Sequence, residues 1–147
     1  MKACYFYFTL LIVLLFTLSC QNSAKQTATV KDGLFIHISH GSDDPHRLLM
    51  ALKMAEIVSA EKDVLVYCDI KAIDAVVKDG PDISLPPFPN SRAQLKKLVD
   101  MGITVMACPT CLKVAGKTPE DLLEGVEIAN KDKFFSFTKG RILSIDY

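Results

Sequence analysis

Cys108, Pro109, Thr110 and Cys111 close a run, Ile103 to Ala107, that reads as a buried strand. Two thiols three positions apart at a strand-to-helix turn can hold a disulfide, a persulfide or half of a metal site. The amides that open the following helix, at the positive end of its dipole, stabilise a thiolate. A thiolate is the nucleophile in sulfur transfer and in disulfide exchange alike. The bland reading is a structural disulfide or a pair of inert buried thiols, and a Cys-x-x-Cys in this position outweighs it.

Other chemistry-bearing residues fall at comparable places. His40, Gly41, Ser42, Asp43 and Asp44 follow a strand-like run, Leu34 to Ser39, and Cys68 and Asp69 end another, Asp63 to Asp69. In open parallel sheets, ligands and catalytic groups gather beyond the carboxyl ends of the strands, so these three places belong together. His37 and His40 point to opposite faces of a strand, which excludes a chelating pair and makes His37 a packed or hydrogen-bonded side chain. His40, at the strand's end, is placed either to draw off the Cys108 proton or to bond the local backbone. Asp43 and Asp44 read as caps or as partners of His40. Gly41 lacks the Lys-Ser/Thr of a phosphate-binding loop. Cys68, alternating with Tyr67, reads as a buried small residue. A zinc site needs two more ligands than the pair supplies, and no second Cys-x-x-Cys exists, so neither a metal nor a cofactor is expected.

The elements that must position these residues alternate between strand-like and helix-like. Asp44 and Pro45 open a helix running to about Ala60, apolar over most of its circumference. Lys71 to Lys78 predicts a short helix and Asp82 to Leu85 a short third strand. Pro86, Pro87 and Pro89 then force an extended loop. Ser91 is expected to cap a helix with Leu95, Leu98 and Val99 inward, followed by Gly102. Thr118 and Pro119 are expected to open another, with Leu122, Leu123, Val126 and Ala129 inward. Phe134 to Phe137 fits a helical turn or a strand, and Arg141 to Asp146 predicts the last strand. The fold class is therefore α/β: a three-layer α/β/α domain around an open, mainly parallel sheet of about five strands.

The N-terminal stretch is of another kind. Lys2 precedes an uncharged apolar run, Ala3 to Leu18, which suits a signal-type core better than a bilayer span of about 20 residues. The run ends at Ser19-Cys20, which resembles a lipobox with Cys20 as the lipidated residue, although Thr17 stands where a leucine is usual. Residues 1–20 are thus expected to be a signal and lipobox segment, 21–32 a flexible tether, and 33–147 the folded domain. The expected location is the cell envelope, as a membrane-anchored lipoprotein, or else the periplasm or exterior in soluble form. The chain holds 17 basic and 17 acidic residues, and this balance gives no reason to expect a nucleic-acid partner. Beyond the signal and Cys20 the thiols are Cys68, Cys108 and Cys111, an odd number that excludes a disulfide framework.

The stretch from Gly33 to Tyr147 resembles the DsrE/DsrF-like family, including its TusD-related sulfur-relay branch. The residues that carry the resemblance are the strand leading into His40 to Asp44, the long apolar helix, Val105 to Cys108, and the spacing from Cys108 and Cys111 to Gly116. The resemblance implies a reactive cysteine at the strand end, here Cys108, holding a persulfide passed between partners. It implies an accessory thiol at Cys111 and assembly as a homo-oligomer, trimer or hexamer. The implied partners are a sulfur donor or acceptor protein, or a small sulfane-sulfur compound. Many members carry an arginine before the glycine, where this chain has Val114, Ala115 and Gly116, so no anion-binding role is carried over there. Relay members work in the cytoplasm, whereas this chain opens on a signal-like segment. Two readings outside sulfur transfer stay open: a dithiol–disulfide oxidoreductase using Cys108 and Cys111, and a lipid-tethered binding or assembly module whose pair is a structural clip.

Overall fold

The computed structural model describes residues 30–147; the signal, Cys20 and most of the tether lie outside the described residues. Five strands form one sheet: β1 (Gly33–Ile38), β2 (Asp63–Cys68), β3 (Thr104–Ala107), β4 (Val126–Ile128) and β5 (Ile142–Asp146). Their order is β4-β3-β2-β1-β5, and every pairing is parallel. Parallel strands need crossovers, and those crossovers are right-handed. Moving from β1 to β2 to β3 therefore lays α1 (Pro45–Val58) and α3 (Ser91–Asp100) on one face. The return from β4 across the sheet to β5 carries α5 (Lys131–Ser136) on the other. The result is the expected three-layer α/β/α domain.

Side-chain alternation agrees with this layering. Ile36, Ile38, Val66, Cys68, Val105 and Ala107 join Leu48, Leu52, Leu95 and Leu98 in one core. On the opposite face Phe35 and Tyr67 receive Phe134 of α5, with ring centroids 4.8 and 5.3 Å apart. Between α1 and α3, Glu56 binds Lys53 and Lys97 at 3.2 and 2.8 Å. Among the described residues no helix is long and apolar enough to cross a membrane.

Several expectations hold in detail. Asp44 caps α1 through the Arg47 amide, with Pro45 in the first turn. Ile70–Ala72 forms a 3-10 turn leading into α2 (Ile73–Val76), and Phe134 lies in a helix capped by Asn130.

Three expectations are corrected. Asp82 to Leu85 is no strand: its polar groups serve the start of α3 instead. The Asp82 carboxylate accepts from the Arg92 amide at 3.1 Å, and the Ile83 amide donates to the Ser91 hydroxyl at 2.9 Å. Ser91 is accordingly a fully buried first helical residue, and Asn90 holds the cap position. Third, Thr118 to Asp121 builds a capping box but only one 3-10 turn. Leu122 then turns extended and bridges Val77, Gly125 takes φ +80°, and Val126–Ile128 pairs with β3 as the edge strand. The apolar spacing of Leu122, Leu123, Val126 and Ala129 suits either state, and the open edge of β3 decides for the strand.

The loop after β1 is tied to α2. Ser42 donates its amide and hydroxyl to Asp74, and a Cβ on Gly41 would collide with that carboxylate and with the Lys71 carbonyl, 2.5 Å away. Gly41→Ala is therefore expected to cost about 1–3 kcal/mol in urea unfolding. An unchanged midpoint would mean that this contact is not needed.

Candidate active site around Cys108 and Cys111

The carboxyl edge of the sheet is built by register. Ile38, Cys68 and Ala107 lie side by side, so the residues one step beyond them, Ser39, Asp69 and Cys108, form the next row. The Cys108 amide donates to the Cys68 carbonyl at 2.9 Å, and the Asp69 amide to the Ile38 carbonyl at 3.0 Å. Chains leaving β3 and β4 depart to opposite faces: Leu112 enters the core beside α3, whereas α5 lies across the sheet. Cys108 therefore sits beyond the carboxyl end of β3, on the edge of the sheet where open α/β folds gather ligands and catalytic groups.

Cys108 occupies the cap position of α4 (Pro109–Val114), and Pro109 leaves no amide to satisfy at the first helical position. The Cys111 amide donates to the Cys108 sulfur at 3.4 Å. Both thiols are free and partly exposed. Burial works against ionisation of Cys108. Hydrogen bonds from the Tyr67 hydroxyl, the Cys111 amide and thiol, and the Thr110 amide outweigh it, and the thiol titrates below its ordinary range. Cys111 moves the other way. Its burial and the adjoining Cys108 and Asp69 raise it, while the Ile70 amide opposes them. Ile70 sits at φ +45°, a strained conformation for a β-branched residue. Cys68, wholly buried, is pushed up to about 12 and is an inert core thiol.

His37 lies on the same sheet face as Tyr67, 5.8 Å from it ring to ring. Its Nδ1 contacts Asp146 and its Nε2 contacts Asp69, each at 2.9 Å. Burial lowers its pKa, but the two carboxylates more than compensate and the net shift is upward. Once protonated, the imidazole neutralises Asp69, whose carboxylate opposes charge on Cys111.

His40 is engaged elsewhere. Its Nδ1 bonds Asp43 at 2.8 Å and its Nε2 faces the Arg47 guanidinium at 3.2 Å. Arginine can only donate, so Nε2 accepts and Nδ1 carries the proton. β1, which leads into His40, lies two positions from β3, about 10 Å across the sheet. The structure therefore brings Cys111 to Cys108 and directs both ring nitrogens of His40 into its own loop. Asp43 orients His40, and Asp44 serves as the cap. Sequence reasoning missed Tyr67 and the His37–Asp69 pair. Strand alternation does put Tyr67 opposite Cys68, but only the β2–β3 pairing reveals that its face adjoins Cys108. Among the described residues no cluster of three or more His, Cys, Asp or Glu side chains is arranged to hold a metal ion.

Two measurements check this electrostatic picture. Tyr67→Phe removes a donor to the thiolate, so the Cys108 pKa should rise, read as the pH dependence of alkylation in a Cys111→Ser background. No change would remove Tyr67 from the site. His37 has a folded pKa above its ordinary 6.5. Its contribution to stability is therefore complete below that value and is lost as pH rises through the folded pKa. Urea midpoints between about pH 5 and about pH 9 should show this decline, and Asp146→Asn should flatten it.

Comparisons with known proteins fit the architecture. A sequence model of the DsrE/DsrF-like family matches residues 32–139. An uncharacterized protein of Methanocaldococcus jannaschii is 35% identical over 51 residues, which span 35% of this chain and 45% of that protein. A protein of unknown function from Methanobacterium thermoautotrophicum superposes with a TM-score of 0.59 at 17% identity, covering 77% of this chain and 98% of the other. The ychN protein of E. coli does so with a TM-score of 0.60 at 18% identity, covering 78% and 99%. These two likenesses speak to the fold, and the family match spans most of the chain. The chain belongs to the DsrE/DsrF-like family.

Proposed function

We propose that this DsrE/DsrF-like protein handles sulfane sulfur, carrying it as a persulfide on Cys108 with Cys111 as the accessory thiol. Family membership supports a role related to sulfur relay, in company with sulfur-transfer partners. One observation carries the finer assignment: hydrogen bonds draw the Cys108 pKa down while its surroundings push that of Cys111 up. The pair thus holds one thiol that ionises more readily than an ordinary cysteine and a neighbour that keeps its proton more firmly. The Cys108 thiolate attacks the outer sulfur of a donor, R–S–SH. The donor's S–S bond breaks, its thiolate leaves with the electron pair, and Cys108–S–SH forms with no net oxidation. Tyr67 and the Cys111 amide, which stabilise the thiolate, also stabilise it when it departs again.

Cys108→Ser should abolish the gain of one sulfur atom seen by intact mass after exposure to polysulfide or thiosulfate, and Cys111→Ser should retain it. A wild-type protein that takes up no sulfur from any donor ends this proposal.

The same closeness of the thiols favours a second reading, a dithiol–disulfide couple. It predicts a reduction potential of roughly −120 to −270 mV, whereas a value below about −300 mV would point to a structural clip. Lipidation at Cys20 and anchoring in the cell envelope are proposed from the sequence, and assembly as a trimer or hexamer from the family resemblance. An intact-mass spectrum of protein from native membranes would report the acyl chain and the added sulfur together.

A further inference from the structure

A cleft of about 490 Å³ opens between the segment from Ile70 to Gly80 and α4, and Cys111 lines it, whereas Cys108 does not. Its size lies within the range of small-molecule sites. Val77 belongs to its buried floor, and Ile70 and Val114 stand exposed at its margin, 62% and 83% accessible. Its charges have both signs: Lys71, exposed and in no ion pair among the described residues, Asp74, which accepts from Ser42, and Lys117 paired with Asp79. The strained Ile70 turns its amide toward the Cys111 sulfur at one end of this space. An apolar floor, a rim of mixed charge and a thiol suit a ligand with a short apolar body, carboxylate and ammonium groups, and a sulfur of its own.

We propose that this cleft binds a small zwitterionic peptide thiol, of about the size of glutathione, and that Cys111 is the thiol that exchanges sulfur with it. The proposal rests on the persulfide reading of Cys108 and deepens it, giving Cys111 the exit step. The Cys111 sulfur attacks the outer sulfur of the Cys108 persulfide. That S–S bond breaks, the electron pair returns to Cys108 as thiolate, the outer sulfur keeps its own proton and the Cys111 proton passes to water, leaving Cys111–S–SH. The bound ligand's thiolate then attacks that outer sulfur, giving ligand–S–SH and a Cys111 thiolate that reprotonates from water. Each step exchanges one S–S bond for another, so no oxidant or reductant is consumed. The lower-pKa thiol is the better leaving group, which favours movement from Cys108 to Cys111.

Two measurements on the protein test the cleft and the transfer separately. S-methylglutathione cannot react, so its binding is independent of any persulfide. It should perturb the amides of Ile70, Val77 and Val114 in NMR spectra, and Lys71→Glu should weaken it about fivefold or more. Absence of binding, or binding elsewhere, overturns the proposal. In the second measurement, sulfur loaded from polysulfide is discharged to glutathione or to 2-mercaptoethanol. The wild type should discharge faster to glutathione, and Ala115→Trp, which fills the cleft, should slow glutathione about tenfold more than 2-mercaptoethanol. Lys71→Glu tests the same preference without adding bulk. Cys111→Ser should load but lose the preference for glutathione; a retained preference overturns the exit role. Binding at the cleft with no loading of Cys108 would overturn the carrier proposal instead, leaving the cleft as a thiol-binding site.

Discussion

The hydrogen bond from the Cys108 amide to the Cys68 carbonyl, 2.9 Å long, is the rung on which the site depends. It extends the β2–β3 ladder one residue past the last paired residues, Cys68 and Ala107. The chain can then turn at Pro109 with Cys108 still held in line with Asp69 and Ser39. Period-two alternation does the rest. With Cys68 and Ala107 committed to the core, Tyr67 faces the other way and reaches the sulfur from beside it. A one-residue slip in this pairing would exchange the two faces, burying Tyr67 and presenting Cys68.

Around that rung, opposing charges are balanced to favour one thiolate over the other. Asp69 is only 17% exposed, and its carboxylate raises the cost of ionising Cys111. His37 lies between two carboxylates, bridging Asp69 just past β2 and Asp146 on β5 from its place on β1. The same imidazole therefore ties three strands together at the edge where the chemistry sits. Local hydrogen bonds then set the difference between the cysteines: Cys108 gathers donors, while Cys111 gains one amide, that of Ile70, against its own burial and its neighbours' charge.

The layering of the fold and the location of the site were legible in the sequence because both rest on short-range signals. Alternating apolar runs define β1, β2, β3 and β5, and the Asp44-Pro45 cap and the Cys108-Pro109 turn mark helix starts within a few residues. What was illegible depends on partners distant in sequence. Leu122 to Ala129 satisfies a helical spacing, and only the unpaired edge of β3 draws Val126–Ile128 into a strand. Asp82 to Leu85 has strand-like composition, yet its amide and carboxylate are taken by Ser91 and Arg92. His40 sits at a strand end like Cys108, but strand order places β2 between them, and a sequence does not state strand order.

The strain at Ile70 follows from the same geometry. Asp69 must stay in the edge row, where its amide bonds Ile38, while Lys71 must turn back so that its amide reaches Ser39 at 3.1 Å. One residue is left to reverse the chain, and φ +45° is the conformation that does it. Glycine would adopt it with less strain. It would not supply the apolar side chain that stands beside the cleft, 62% exposed next to Cys111. Against that strain stands the greater backbone freedom that glycine would lose on folding. The exposed side chain lies on the rim of the cleft, where a molecule bound as proposed would meet it.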